Sequence, residues 1–296
     1  ARLREPDRTA HAPLDELRWP CMGEQRRKLQ ALVMAGAQCY FCGAASAETI
    51  DHVPSRDLFV NRVGPEGFEF PACKDCNSMT RYVEQVVALY VMMLDRDDSR
   101  FSQAEFERKY IGVRNNFPEL LPSDGVSAND KRRAFQFHDA RYRTARTFAE
   151  EPILSIPDEV LAAFEIFSFK LGLALYFQHH KVPADGSLRQ RCFWLSITEK
   201  SVAEIINSAN KILPVGQIGA RINTDIGKQL TYRIGTHDPT RTFIAVTQIR
   251  ASGCVVATFT SRELPEEFSK WTTVESRRAE VIRGLRCDPR KFLFES

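Results

Sequence analysis

Cys39-Tyr40-Phe41-Cys42 and Cys73-Lys74-Asp75-Cys76 are two CxxC units in one chain, and no other feature of the sequence restricts the fold around it so strongly. Each unit makes a tight turn that presents two thiolates, and two such turns offer the tetrahedral sulfur set that zinc prefers. The segment between them must then leave and return to one point. A thioredoxin-like redox site needs a single CxxC ahead of a helix in a strand–helix–strand unit, so the second unit favours metal. Gly43 suits a turn in which backbone amides approach sulfur. The other cysteines, Cys21, Cys192, Cys254 and Cys287, are solitary and read as small buried hydrophobes.

A metal is not needed to hold the whole protein together. A chain of 296 residues has room for about two domains and a sizeable core. Its 43% hydrophobic and 27% charged residues exclude general disorder. No run approaches the roughly 18 apolar residues of a membrane span, and residues 1–15 are charged and proline-bearing where a signal peptide has an apolar centre. The expectation is a cytoplasmic protein without membrane association, in which thiols stay reduced. A net charge of +3 permits a nucleic-acid partner without requiring one.

Three segments are expected, in an α+β protein. Residues 1–95 hold the cysteine pairs and open with a short helix at 24–35. Thr49 to Val53 and Phe68 to Phe70 read as strands around a loop carrying Pro54 and Gly64-Pro65-Glu66-Gly67, and Met79 to Leu94 repeats apolar residues at helical spacing. Residues 96–150 read as a helical connector. Within it Lys131, Arg132, Arg133, Arg141, Arg143 and Arg146 face only Asp139, an excess suited to a phosphate backbone and equally to a solvated face. Residues 151–296 read as an α+β domain with a buried helix at 160–178, strands near 192–198, 230–235, 243–249 and 254–259, and helices at 201–212 and 274–286. Its sequence carries no motif tied to a reaction, which leaves targeting or regulation as its expected role.

Asp51-His52 falls on the first expected strand, and Asn77 directly follows the last paired cysteine. A hard divalent cation takes oxygen ligands, which Asp51 and Asn77 can supply. Histidine titrates near working pH, so neutral His52 can take a proton from water attacking a phosphodiester. A metal ion would offset the charge on the phosphate and its leaving 3′ oxygen. Neighbours on a strand point to opposite faces, so Asp51 and His52 share one site only where the strand end is irregular, as Pro54 allows. The simpler roles are Asp51 orienting His52 and Asn77 capping the helix that follows.

Taken together, Cys39-x2-Cys42, Asp51-His52-Val53 and Pro71-x-Cys73-x2-Cys76-Asn77 resemble the HNH endonuclease motif in its four-cysteine, zinc-bearing form, over about residues 37–95. The resemblance implies a ββα-metal fold in which Cys39, Cys42, Cys73 and Cys76 hold structural Zn²⁺. It implies His52 as general base, and Asp51 and Asn77 as ligands of a catalytic Mg²⁺ or Mn²⁺. The implied activity is hydrolysis of phosphodiester bonds, foremost in DNA, leaving a 5′ phosphate and a 3′ hydroxyl. The family's middle Asn aligns with Phe68, so the hydrogen bonds that fix the loop must come from elsewhere, Asn61 being nearest in sequence. Arg56, Lys74 and Arg81 flank the motif and are the expected phosphate contacts. One such site cuts one strand, so a homodimer or larger complex is expected where both strands are cut. The alternative is a zinc-stabilised module that binds nucleic acid or protein without cleaving; it has no need of Asp51-His52 together with Asn77.

Overall fold

The computed structural model describes residues 24–95, 102–123, 125–137, 147, 155–196, 200–216, 226–237, 241–263 and 270–287. Helix α1 (Glu24–Met34) leads into the first cysteine turn, and the short strands β1 (Thr49–His52) and β2 (Glu69–Ala72) pair antiparallel with Thr49 opposite Ala72. Helix α2 (Lys74–Met79) carries the second cysteine pair. The long helix expected after Asn77 is broken at Thr80, where α3 (Arg81–Leu94) begins. Its residues Val83, Val86, Val87, Tyr90 and Val91 recur every three or four positions and are all buried. Helix α4 (Gln103–Asn116) lies against α3 and opens on a capping box in which Ser102 and Glu105 each bond the other's backbone amide. Helix α5 (Ala128–Phe137) follows.

Helix α6 (Asp158–His180) packs between α3 and the larger sheet. Its middle, residues 166–175, is apolar on every side apart from Ser168 and Lys170 and is buried throughout. Asp158 and Glu159 in its first turn suit the positive end of the helix dipole. Gly172 brings it close to the sheet, because a Cβ there would stand 2.8 Å from Ala257 Cβ and 2.9 Å from Cys192 Sγ. That sheet is antiparallel in the order β4-β5-β6-β3-β7, formed by β3 (Arg189–Ser196), β4 (Leu230–His237), β5 (Thr242–Ile249), β6 (Gly253–Thr260) and β7 (Thr272–Thr273). Helix α7 (Lys200–Ile212) follows β3, and α8 (Val274–Cys287) packs back onto α2.

The chain is therefore mixed α+β, with strands and helices close to their expected places. The expected boundaries at 95 and 150 do not divide its core, however. One apolar cluster runs from Cys39 through Phe70, Leu89, Phe167 and Phe243 to Leu285. Asp95, at the proposed edge of the first segment, is 6% exposed, because Arg250 from the β5–β6 turn binds its carboxylate and neutralises it. Of the basic stretch, Lys131, Arg132 and Arg133 fall on α5, while Asp139, Arg141, Arg143 and Arg146 lie outside the described residues.

Candidate functional site

The four paired cysteines meet as expected. Their sulfur atoms all lie within 4.8 Å of one another, and Cys39, Cys73 and Cys76 are buried. Thiols this close compete for protons. Hydrogen bonding to Cys39 and Cys76 draws the Cys42 thiol far below its ordinary range, while Cys39 is pushed up to about 11, chiefly by its bond with Cys42. The amides of Ala45 and Ala44 also favour the Cys42 thiolate, and Cys76 Nα–H donates to Cys73 Sγ at 3.5 Å. A four-thiolate donor set of this kind can hold a metal ion and suits tetrahedral zinc. Arg278 of α8 is 8% exposed beside it, and its buried Nε and Nη2 have no hydrogen-bond partner among the described residues. Burial weakens its hold on the proton, against which Cys42, Cys39 and Cys76 attract the cation. Gly43, at φ 73°, leaves the guanidinium room: a Cβ there would stand 3.2 Å from Arg278 Nη1.

Asp51, His52 and Asn77 border one open cleft of about 1060 Å³ beside β1, α2, α3 and α4. Asn77 is not the cap of its helix; Cys73 is, and Asn77 lies inside α2. From there its Nδ2 donates to Thr49 Oγ1 at 3.0 Å and to the Ile50 carbonyl at 3.3 Å. Both bonds use the nitrogen, so the orientation of the amide is set and Oδ1 carries no hydrogen bond among the described residues. The irregular strand end expected from Pro54 is absent at Asp51 and His52, whose alternation is kept: Asp51 is 4% exposed and turned toward Lys170 of α6, while His52 is half-buried. Both still border the cleft because it wraps the end of β1. Across the strand pair, Glu69 Oε1 stands 3.9 Å from His52 Nδ1.

The carboxylate of Asp51 is itself tightly held. Its Oδ2 accepts from Tyr40 Oη at 2.8 Å and pairs with Lys170 Nζ at 2.9 Å. Tyr40 lies between the first two cysteines, so the first cysteine turn itself delivers the hydroxyl that orients Asp51. Lys170, fully buried in α6, also reaches Glu84 Oε1 at 2.5 Å and Thr80 Oγ1 at 2.8 Å, which satisfies all three ammonium hydrogens. Burial opposes its charge, but Asp51 and Glu84 more than reverse that and raise its pKa. Burial also pushes the Glu84 carboxyl up to about 7, against the attraction of Lys170. Asp51 Oδ1 takes no hydrogen bond among the described residues.

Phe68, where the resemblance to the HNH motif would align a middle Asn, is buried against Phe70 and Tyr232 and cannot fix the loop by hydrogen bonding. Asn61 does not replace it with its side chain. It adopts φ 55°, and its backbone amide donates to Glu105 Oε1 at 2.9 Å. Lys109 Nζ donates to the Asp57 carbonyl at 2.5 Å, and Gln229 Oε1 accepts from the Val60 amide at 2.9 Å. Three side chains from α4 and the second half of the chain thus do what one Asn was expected to do. The two bonds from Glu105 and Lys109 tie the loop to the helix that walls the cleft.

Of the three expected phosphate contacts, Arg56 and Arg81 line the cleft. Lys74 does not: it is exposed on α2, where its backbone amide donates to Glu48 Oε2 at 3.2 Å. Sequence reasoning passed over Lys170, Glu84 and the α4 residues Arg108 and Lys109. A lone lysine inside the apolar run of α6 was the available signal, since a buried ammonium requires a counter-charge. Comparison with protein-family models, with curated proteins and with solved structures finds no match for this chain.

Proposed function

We propose that this protein is a metal-dependent HNH-type endonuclease that hydrolyses phosphodiester bonds, foremost in DNA. One observation carries the reading: His52, Asp51 and Asn77 border the same cleft, with Asp51 Oδ1 and Asn77 Oδ1 both without hydrogen bonds among the described residues, because their partners take the other atom of each group. Two hard oxygen donors so prepared suit Mg²⁺ or Mn²⁺. Such an ion, when bound, neutralises charge on the phosphate and the departing 3′ oxygen. The chain supplies the rest. Glu69 Oε1, 3.9 Å from Nδ1 of His52, lies where it can help orient the imidazole that takes a proton from the attacking water. Arg56 and Arg81 hold phosphates along the cleft wall. The four cysteines hold zinc, which locks β1 and α2 and, through Tyr40, the direction of Asp51.

The test is cleavage of plasmid DNA, single-stranded DNA and RNA by the purified protein with Mg²⁺ or Mn²⁺. The expected result is cleavage by the parent and a loss on the order of a hundredfold or more in His52→Ala, the usual scale for a missing general base. No cleavage by the parent on any substrate, with nucleic acid still bound, assigns the chain instead to a zinc-stabilised binding module.

A further inference from the structure

The cleft continues past Asn77 along α3 and α4, and its far end is not a bare charged surface. Tyr82 is 43% exposed there, and its ring meets that of buried Phe117 at 78° with centroids 5.3 Å apart. That contact sets the plane of the tyrosine while leaving much of it open. Beside it, Asn116 Nδ2 donates to Gln85 Oε1 at 3.2 Å. The other polar atoms of this amide pair, Gln85 Nε2 and Asn116 Oδ1, make no hydrogen bond among the described residues. Whichever way the two amides are turned, one donor and one acceptor stay unused side by side. Gly112 makes the arrangement possible, since a Cβ there would stand 2.6 Å from Gln85 Nε2. A glycine inside α4 is less favourable to the helix than alanine, so the room it leaves comes at a cost in helix stability. Arg81 and Arg108 flank the group as exposed cations on the cleft.

We propose that this end of the cleft is a nucleobase subsite, and that the substrate enters as an unpaired strand. An open aromatic face stacks any base, an unused donor beside an unused acceptor matches a base edge, and flanking guanidinium groups take the phosphates. In a duplex the faces of the bases are covered by their neighbours, and Tyr82 has nothing to stack on. The inference rests on the phosphodiester reading above and adds the form of nucleic acid that the site takes.

The test is fluorescence anisotropy with the full chain in Ca²⁺, which discourages cleavage, using a labelled oligonucleotide of roughly 12 nucleotides as single strand and as duplex. The parent should bind the single strand more tightly. Tyr82→Ala should lose on the order of tenfold on the single strand and little on the duplex, with Tyr82→Phe keeping the parent's affinity. Gly112→Ala should weaken single-strand binding while leaving thermal stability equal or higher, which separates a subsite effect from misfolding. Equal losses on both forms, no loss in Tyr82→Ala, or tighter duplex binding overturns the subsite and leaves the hydrolytic reading standing if the parent cleaves. No binding of either form overturns both.

Discussion

Lys170 holds Asp51 by one oxygen only, with Nζ at 2.9 Å from Oδ2. The carboxylate expected to bind a metal is thus fixed from inside the core, by a helix far away in the sequence, and its second oxygen takes no hydrogen bond among the described residues. The same ammonium neutralises Glu84, so a single buried cation serves two buried carboxylates.

Replacing Lys170 by Met removes the cation and leaves Asp51 and Glu84 buried without it. Stranding a buried charge costs about 3–5 kcal/mol, so Lys170→Met should lower the urea midpoint sharply. Lys170→Met combined with Glu84→Leu should recover part of the loss, because one stranded carboxylate is then gone. A loss below about 1 kcal/mol in Lys170→Met would show that the network does not hold the fold.

Glu84 titrates at about 7 in the folded chain against 4.5 as its ordinary value, because burial disfavours the carboxylate. A carboxyl raised in this way contributes stability that is fully present below the ordinary value and is lost as pH rises through the folded one. The parent should therefore lose stability relative to Glu84→Gln between about pH 4.5 and pH 7. Denaturation of both proteins across that range checks it; parallel curves would place the titrating group elsewhere.

Arg278 is a buried cation beside a cluster that carries two net negative charges when four thiolates hold a dication. Metal analysis should find about one zinc per chain, and Cys73→Ser should lose it together with local order. Arg278→Met should keep the fold by circular dichroism yet lose metal affinity by about tenfold, the lower end for a group that supports metal ligands from behind. Chelator competition with a colorimetric zinc dye measures this. Unchanged release would mean that the arginine is buried for packing alone.

What could be read without the structure lies within short spans of chain. The CxxC turns, Asp51-His52 and Asn77 belong to one small unit whose spacings are set by connectivity, and the four sulfur atoms do converge. The strands of the second half were legible because β-branched and aromatic runs mark a half-buried sheet. The break at Thr80 was not legible, because the apolar repeat passes through it while the Thr80 hydroxyl is drawn aside to the Cys76 carbonyl and Lys170.

The sequence by itself determined the donor atoms: four thiolates at metal spacing, and a carboxylate, an imidazole and an amide near them. Only the tertiary structure decided which atom of each points where. Lys170 and Tyr40 select the oxygen of Asp51, Thr49 and Ile50 take the nitrogen of Asn77, and Glu105, Lys109 and Gln229 anchor the loop that Phe68 leaves without a side-chain clamp. The reason is physical. A buried charge or orphaned amide takes whichever partner the packing brings within about 3 Å, and such partners come from segments whose separation along the chain leaves no periodic signal.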